Sequence, residues 1–148
     1  MHDIKQLYDD VMLDHIRNAR NYRKIADADQ LVERFNPLCG DELILYVNLD
    51  EDVICDIAFQ CSCCGISMAS ASMMTEQIRG KSRIEAQTMA NAFIEGLRES
   101  AASPGELRAV SHAVRDFPSR IQCATLAWEA LQAALEPMVA GKTGDANF

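Results

Sequence analysis

The chain has few cations and lacks long apolar runs. It carries 14 Lys and Arg against 22 Asp and Glu, which gives a formal net charge of −8. Nucleic-acid backbones and anionic membranes attract clustered Lys and Arg, so this charge argues against both as partners. No apolar run approaches the ~20 residues that span a bilayer, and the acidic N-terminal segment has no apolar signal core. We therefore expect a cytoplasmic protein without nucleic-acid or membrane partners.

Several common site motifs are also missing. The sequence has no Gly-rich phosphate loop, no Gly-x-Ser-x-Gly motif and no short zinc-finger spacing. The histidines, His2, His15 and His112, have no nucleophile near them in sequence. We interpret them as solvated side chains on helices or at the terminus. These absences leave the cysteines as the residues for which a chemical role is easiest to argue.

The length of 148 residues suits one domain. A domain of this size buries roughly 70% of its unfolded surface, so its core needs no disulfides. We predict a single domain over residues 1–140 and a flexible, small-residue tail over residues 141–148. In a reducing compartment, six cysteines favour metal ligands or reactive thiols over a disulfide framework.

The first half of the chain combines a helical pattern with strand patterns. Apolar residues at helical spacing predict a helix from Ile4 to about Arg17, and the polar stretch Arg20–Val32 indicates a connector with little regular structure. Alternating apolar positions over Leu43–Leu49 and Val53–Phe59 predict a β-hairpin. We interpret Cys55 as a core residue on the second of these strands.

Helical signals dominate after the hairpin. A Met-rich helix is expected over Ile66–Arg79, capping boxes at Ser82–Glu85 and Ser103–Glu106 open two more helices, and Pro118–Ser119 opens the last. The predicted class is α+β, a small antiparallel sheet with helices packed on one face. The helix after Ser82 is expected to bury Ile84, Ala90, Phe93, Ile94 and Leu97.

Cys39 and Asp41 form the first candidate pair of ligands. They lie in Asn-Pro-Leu-Cys-Gly-Asp, just before the hairpin. Side chains at i and i+2 of an extended chain point the same way, so the thiol and the carboxylate can face one point. A small buried cysteine beside a turn aspartate is the alternative interpretation.

Two further cysteines lie near predicted helix starts. Cys64 directly precedes the Met-rich helix, and Cys123 follows Ser119 and Arg120 in the first turn of the last helix. The unpaired N–H groups and positive dipole of a helix N-terminus favour the thiolate, which binds metals and attacks sulfur. For each of them the alternative is a buried cysteine of the core.

These candidate ligands have one feature in common, since each lies where a helix or strand begins. They can therefore converge at one end of the domain. Three thiolates and a carboxylate suit zinc, and thiolates also suit iron–sulfur clusters. Such a set is negatively charged even with Zn²⁺ bound, and Arg120 is a candidate cation beside it. Cys61 and Cys63 could form a second thiol relay, an alternative ligand set or an oxidation-prone pair.

At these residues the sequence resembles the U-type iron–sulfur cluster assembly proteins. The matching stretches are LYDDVMLDHIRNARN, NPLCGDEL around Cys39, GISMASASMMTE after Cys64 and FPSRIQCATLAWEAL around Cys123. The likeness runs from Leu7 to about Leu135. The interval between Cys64 and Cys123 is long enough for an additional helix, and in this the chain resembles the SufU branch. Gln122 stands before Cys123, where the IscU branch has histidine.

The resemblance implies a SufE/NifU-like fold and a function in sulfur handling. It implies a Zn²⁺ site at Cys39, Asp41, Cys64 and Cys123, with Cys39 as the persulfide acceptor and Arg120 as a supporting cation. It also implies a pyridoxal-phosphate-dependent cysteine desulfurase of the SufS type as partner, together with other iron–sulfur assembly proteins. IscU-type relatives instead build a [2Fe–2S] cluster on the equivalent ligands.

The sequence departs from the family before the Met-rich helix. The family usually has Gly-x-Gly-Cys there, and this chain has Cys61-Ser62-Cys63-Cys64. The position of the following Ile-Ser-Met-Ala-Ser selects Cys64 over Cys63 as the ligand. Three hypotheses follow: a zinc-dependent sulfur-transfer protein in which Asp41 is a displaceable ligand, a scaffold for a [2Fe–2S] cluster, and a purely structural zinc domain.

Overall fold

The computed structural model describes residues 4–37, 40–99 and 105–136. The predicted tail at residues 141–148 lies outside them, as do His2, Cys39 and Ser103. Along the described chain the elements are α1 (Ile4–Arg17), β1 (Gln30–Asn36), β2 (Asp41–Asp50), β3 (Val53–Ser62), α2 (Gly65–Ile78), α3 (Arg83–Arg98), α4 (Leu107–Asp116), a 3₁₀ turn (Pro118–Arg120) and α5 (Ile121–Ala134). Within these ranges, no helix is both long and apolar enough for a membrane crossing.

The three strands form one antiparallel sheet in the order β1-β2-β3. Leu43, Leu45 and Val47 of β2 are at most 1% exposed, and they pair with β3, where Ile57 and Phe59 are also buried. Helix α5 packs against β1 and β2, and α2 packs against β3 and α5. The alternating apolar residues therefore give the sheet one face that the helices cover. The predicted α+β class is confirmed.

The interpretation of Cys55 as a core residue is wrong. The β2–β3 register shifts between Asn48 and Leu49, so that Asn48 pairs with Asp56 and Leu49 with Ile54. Cys55 is the extra residue of this bulge and is exposed. A bulge of one residue reverses the facing of the side chains beyond it. Ile54 is therefore buried in place of Val53, which is 42% exposed.

Two other predictions fail at the edges of elements. Ile84, in the first turn of α3, is 72% exposed, whereas the four other apolar residues predicted for that face are buried. The capping box of Ser82 and Glu85 is present. Strand β1 begins at Gln30, inside the stretch predicted to be a connector. The sequence does not reveal this strand, because it is an edge strand that buries only Asn36 and shows no regular apolar alternation.

The interpretation of His15 as a solvated side chain is also wrong. His15 is fully buried, and its Nδ1 lies 2.7 Å from Ser72 Oγ in α2. Its Nε2 lies 2.8 Å from the carboxylate of Glu106, the residue before α4. A buried imidazole needs hydrogen-bond partners for both nitrogens, and it finds them on two other helices. His15 thus joins α1 to α2 and α4.

Candidate metal centre

Three of the predicted ligands converge at one end of the sheet. Asp41 begins β2, Cys64 is the residue before α2, and Cys123 lies in the first turn of α5. One carboxylate oxygen and the two sulfurs lie within 4.8 Å of one another. Asp41 is 3% exposed and Cys123 1%, while Cys64 is half-buried. We call these three residues, which are a candidate site for a metal ion, the metal centre.

The hairpin register explains why Asp41 meets Cys64. Glu42 pairs with Ser62, so the start of β2 lies beside the end of β3. Cys64 then directs its backbone N–H at Asp41 Oδ1, with a donor–acceptor distance of 3.0 Å. An unpaired N–H at a helix start is a natural donor to a carboxylate, which the positive end of the helix dipole also favours. Asp41 is therefore held in place by the start of α2.

Hydroxyl groups of α2 hold the first turn of α5 against it. Ser67 Oγ lies 2.7 Å from Asp41 Oδ2 and 2.9 Å from the carbonyl oxygen of Cys123, and its single proton can go to either acceptor. Ser70 Oγ donates to the carbonyl oxygen of Ala124 at 2.7 Å and accepts from Trp128 Nε1 at 3.0 Å. These buried bonds set the axial position of α5 relative to α2. They therefore decide how close Cys123 comes to Cys64.

Polar groups also surround the sulfurs. Asn36, 6% exposed, donates from Nδ2 to Cys123 Sγ at 3.9 Å, and the Cys64 thiol donates to Ser67 Oγ at 3.6 Å. The pKa of the Arg120 guanidinium is raised, first by its hydrogen bond with Cys123 and then by electrostatic attraction to Cys64 and Cys123. Arg120 is exposed, so solvent screens this attraction. The predicted cation does lie beside the thiols.

The donor set fits a zinc ion. Zinc binds cysteine thiolates at about 2.3 Å and carboxylate oxygens at about 2.0–2.2 Å, usually as a tetrahedron. Two sulfurs on one tetrahedral zinc then lie about 3.8 Å apart, and the observed spread of up to 4.8 Å needs only a small contraction. Two sulfurs and one oxygen leave a fourth position. Cys39, two residues before Asp41, lies outside the described residues.

The remaining cysteines divide clearly. Cys61 and Cys63 are joined by a disulfide, whereas Cys55, Cys64 and Cys123 are not disulfide-bonded. Of the two neighbouring cysteines before α2, Cys64 is the one whose sulfur lies within 4.8 Å of the donor atoms of Asp41 and Cys123. Of the alternatives given above for Cys61 and Cys63, this disulfide corresponds to the oxidation-prone pair.

Sequence reasoning overlooked two residues around the centre, Asn36 and Ser67. Asn36 is a buried polar residue at the end of an edge strand that the apolar pattern does not reveal. The position of Ser67 in the sequence could have indicated its role. It stands three residues after the residue that precedes α2, a position from which a side chain reaches the start of the helix.

Known proteins share the fold of this chain and much of its sequence. A model of the NifU-like N-terminal domain family matches residues 7–143. The solved structure of the N-terminal part of a nitrogen-fixing NifU-like protein from Brucella abortus superposes with a TM-score of 0.80 at 22% identity, over 89% of this chain and 94% of that one. At that identity the likeness concerns the fold alone.

The chain is also similar in sequence to proteins with assigned functions. The chain is 39% identical over 134 residues to the zinc-dependent sulfurtransferase SufU of Bacillus subtilis, which covers 88% of this chain and 90% of the relative. It is 40% identical over 137 residues to the iron–sulfur cluster assembly scaffold protein IscU of Streptococcus pyogenes, over 90% and 85% of the two chains. The chain is a SufU/IscU-like member of the NifU-like N-terminal domain family.

Proposed function

We propose that this chain is a zinc-dependent sulfurtransferase that accepts persulfide sulfur for iron–sulfur cluster assembly. The observation that carries the proposal is the convergence of Asp41, Cys64 and Cys123 within 4.8 Å from three separate elements. Two thiolates and a carboxylate are ligands that zinc takes readily. The 39% identical relative from Bacillus subtilis is named as a zinc-dependent sulfurtransferase. The proposed location is the cytoplasm, where reduced thiols persist.

In this proposal Cys39 is both the fourth ligand and the sulfur acceptor. It precedes Asp41 by two residues in the sequence. Bound zinc would keep the thiols deprotonated and protect them from oxidation. Asp41 is the ligand suited to leave, because its carboxylate also accepts hydrogen bonds from the Cys64 N–H and from Ser67. Those bonds keep the carboxylate in position when it is not bound to metal.

The proposed sulfur donor is a pyridoxal-phosphate-dependent cysteine desulfurase of the SufS type. The Cys39 thiolate attacks the outer sulfur of the persulfide on that enzyme. The S–S bond breaks, the cysteine of the desulfurase leaves as a thiolate, and the sulfur with its proton remains on Cys39. Arg120, exposed beside the two thiols of the centre, stabilises the negative charge that gathers there.

The test combines metal content with sulfur transfer. Protein purified anaerobically is expected to hold about one zinc per chain and to stimulate a cognate cysteine desulfurase strongly. Cys39→Ala should abolish the stimulation and leave the far-UV circular dichroism spectrum unchanged. Cys55→Ser is the matched control, because Cys55 is a free and exposed thiol in the β-bulge. Unchanged stimulation by Cys39→Ala would refute the proposed role of that thiol.

A second candidate function is a scaffold that assembles and transfers a [2Fe–2S] cluster. It is favoured by the 40% identical relative, which is named as a scaffold protein. Gln122, next to Cys123, argues against it, since the IscU branch has histidine there. Iron and acid-labile sulfide after anaerobic reconstitution, without stimulation of a desulfurase, would favour the scaffold. The same reconstitution on Cys61→Ser and Cys63→Ser would show whether those cysteines serve the cluster.

A purely structural zinc domain agrees less well with the packing. Asp41, Cys64 and Cys123 lie at the edge of the buried apolar cluster, which sheet and helix residues build without them. A structural zinc site usually supplies the folding energy of a small domain. We therefore expect the chain to keep its helical circular dichroism after zinc is removed with a chelator. Unfolding on chelation would support the structural role instead.

A further inference from the structure

Cys61 and Cys63 form a disulfide directly before the metal centre. Cys61 is the penultimate residue of β3, and Cys63 directly precedes Cys64. The bond closes a loop of only three residues, and cross-links over such short loops remove little entropy from the unfolded chain. Both side chains are half-buried, so reagents in solution can approach them. These features suit a reversible redox pair better than a structural cross-link.

The strand register places this pair at the same end and on the same face as the metal centre. Cys61 pairs with Leu43, and paired residues of antiparallel strands point to the same face of the sheet. Asp41 precedes Leu43 by two residues and therefore shares that face. Cys63 adjoins Cys64 in the chain. The pair thus borders two members of the metal centre, one across the sheet and one along the chain.

The end of β3 is held independently of the disulfide. The hydroxyl of Tyr22 donates to the carbonyl oxygen of Cys61 at 2.9 Å and accepts from the Cys61 N–H at 3.2 Å. The Tyr22 ring in turn packs edge-on against the buried Phe59, with centroids 5.2 Å apart. These contacts hold the backbone at Cys61 and involve neither sulfur of the disulfide. Reduction of the disulfide would leave these contacts unbroken.

We propose that the reduced Cys61–Cys63 pair is an internal two-electron reductant that converts sulfane sulfur at the metal centre into sulfide. The inference deepens the proposed function, since it relies on that function to bring persulfide sulfur to the centre. Iron–sulfur clusters contain sulfide, whereas the outer sulfur of a persulfide is two electrons more oxidised. A dithiol beside the site of sulfur arrival can supply those electrons.

The step balances as two thiol–disulfide exchanges. One thiolate of the pair attacks the outer sulfur of a persulfide R–S–SH, the S–S bond breaks, and R–SH leaves with a proton. The second thiol then attacks the sulfur of the neighbouring cysteine, which forms the Cys61–Cys63 disulfide and expels H₂S. The two thiols are oxidised as the sulfane sulfur is reduced. A low-molecular-weight thiol or a dithiol reductase then reduces the disulfide.

The test uses the full, zinc-loaded chain with glutathione persulfide as the probe. The protein is reduced, freed of reductant under anaerobic conditions and mixed with the probe, and the released sulfide is measured. Wild type should release about one sulfide per chain more than the double variant Cys61→Ser/Cys63→Ser. Mass spectrometry should show the peptide containing residues 61–63 lighter by two hydrogens. Cys55→Ser, an exposed thiol in the bulge, should match wild type.

Three results would overturn the inference. The first is an equal sulfide yield from wild type and the double variant, and the second is a peptide that stays in the dithiol form. The third is loss of zinc from the double variant, which would make the pair a set of ligands. The single variants Cys61→Ser and Cys63→Ser provide a control in case the double variant misfolds, because each changes one residue and retains one thiol of the pair. Each should keep a persulfide on that thiol and release no extra sulfide.

A second arm separates this inference from the proposed function. Here sulfur comes from a cysteine desulfurase supplied with radiolabelled cysteine. If the label reaches wild type and the double variant alike while the probe assay shows no difference, only the reductant role fails. If neither protein accepts label while the probe assay still separates them, the sulfurtransferase proposal fails and the reductant activity stands.

Discussion

Among the residues that the structure describes, two groups could hold a metal ion by proximity alone. One is the metal centre of Asp41, Cys64 and Cys123, and the other is a polar junction of His15, Glu76 and Glu106, where α1, α2 and α4 meet. In both groups the potential ligand atoms lie within 4.8 Å of one another. They differ in the kind of donor atom: the junction offers an imidazole and two carboxylates, and the metal centre offers two sulfurs and one carboxylate.

At the polar junction, protein groups occupy the would-be ligands. Both ring nitrogens of His15 are hydrogen-bonded, at 2.7 and 2.8 Å, and Glu76 faces the guanidinium of Arg20 at 3.7 Å. At the metal centre the Asp41 carboxylate accepts hydrogen bonds at 2.7 and 3.0 Å. The two sulfurs have contacts at 3.6 and 3.9 Å and with Arg120, and sulfur is a weak hydrogen-bonding atom. Proximity is therefore not sufficient evidence for a metal site. The junction is a structural network, and the centre has donors suited to a soft cation.

The largest expected effect is on zinc binding by Cys123→Ser. Structural zinc sites bind with about 10–16 kcal/mol over four ligands, so losing one thiolate should cost about 3 kcal/mol, or a hundredfold in affinity. Competition with a chelator of known affinity would measure this change. Cys55→Ser should leave the affinity as it is. An unchanged affinity in Cys123→Ser would place the metal elsewhere.

The matching variant at the polar junction is His15→Ala. It removes the imidazole from the Ser72 hydroxyl, which then keeps only the Arg20 N–H at 2.9 Å, and from the Glu106 carboxylate, and it opens space between helices. We expect the free energy of unfolding to fall by about 2–3 kcal/mol in urea titrations. Zinc content should stay the same. A loss of zinc here, with stability intact, would reverse the assignment of the two groups.

A smaller effect is expected from Ser67→Ala. This variant removes the hydroxyl that contacts Asp41 and the Cys123 carbonyl, so zinc affinity should fall by about tenfold, as for other groups that orient ligands. Ser70→Ala is the matched control one turn further along α2. It removes bonds to Ala124 and Trp128 instead, and should lower stability by about 1–3 kcal/mol with zinc affinity unchanged. Equal zinc losses in the two variants would point to helix packing alone.

The smallest expected effect belongs to Arg120→Gln. Arg120 is exposed, so its attraction to the thiolates of Cys64 and Cys123 is weak and screened by salt. We expect zinc affinity to fall by about threefold at low ionic strength and the difference to vanish near 1 M salt. Chelator competition at several salt concentrations would measure it. A deficit that persists at high salt would indicate a direct structural role for the side chain.

Local patterns in the sequence predict most of the fold. The span of α1, the hairpin, the start of α3 at its capping box and the end of α2 before Gly80 all depend on neighbours within a few residues. The placement of Asp41, Cys64 and Cys123 at the starts of elements is likewise visible in the sequence. That placement is the reason to expect them at one end of the domain.

Contacts between distant segments account for what the sequence does not reveal. The exposure of Cys55 depends on a bulge opposite Asn48 and Leu49, and the burial of His15 depends on Ser72 and Glu106 of other helices. The distance between Cys64 and Cys123 depends on Ser67, which reaches across from α2 to α5. By itself the sequence determined which elements form and which residues stand at their ends, because periodicity and capping are local. Only the tertiary structure decided which face a residue takes and which donors meet, because strand register and helix packing join residues far apart in the chain.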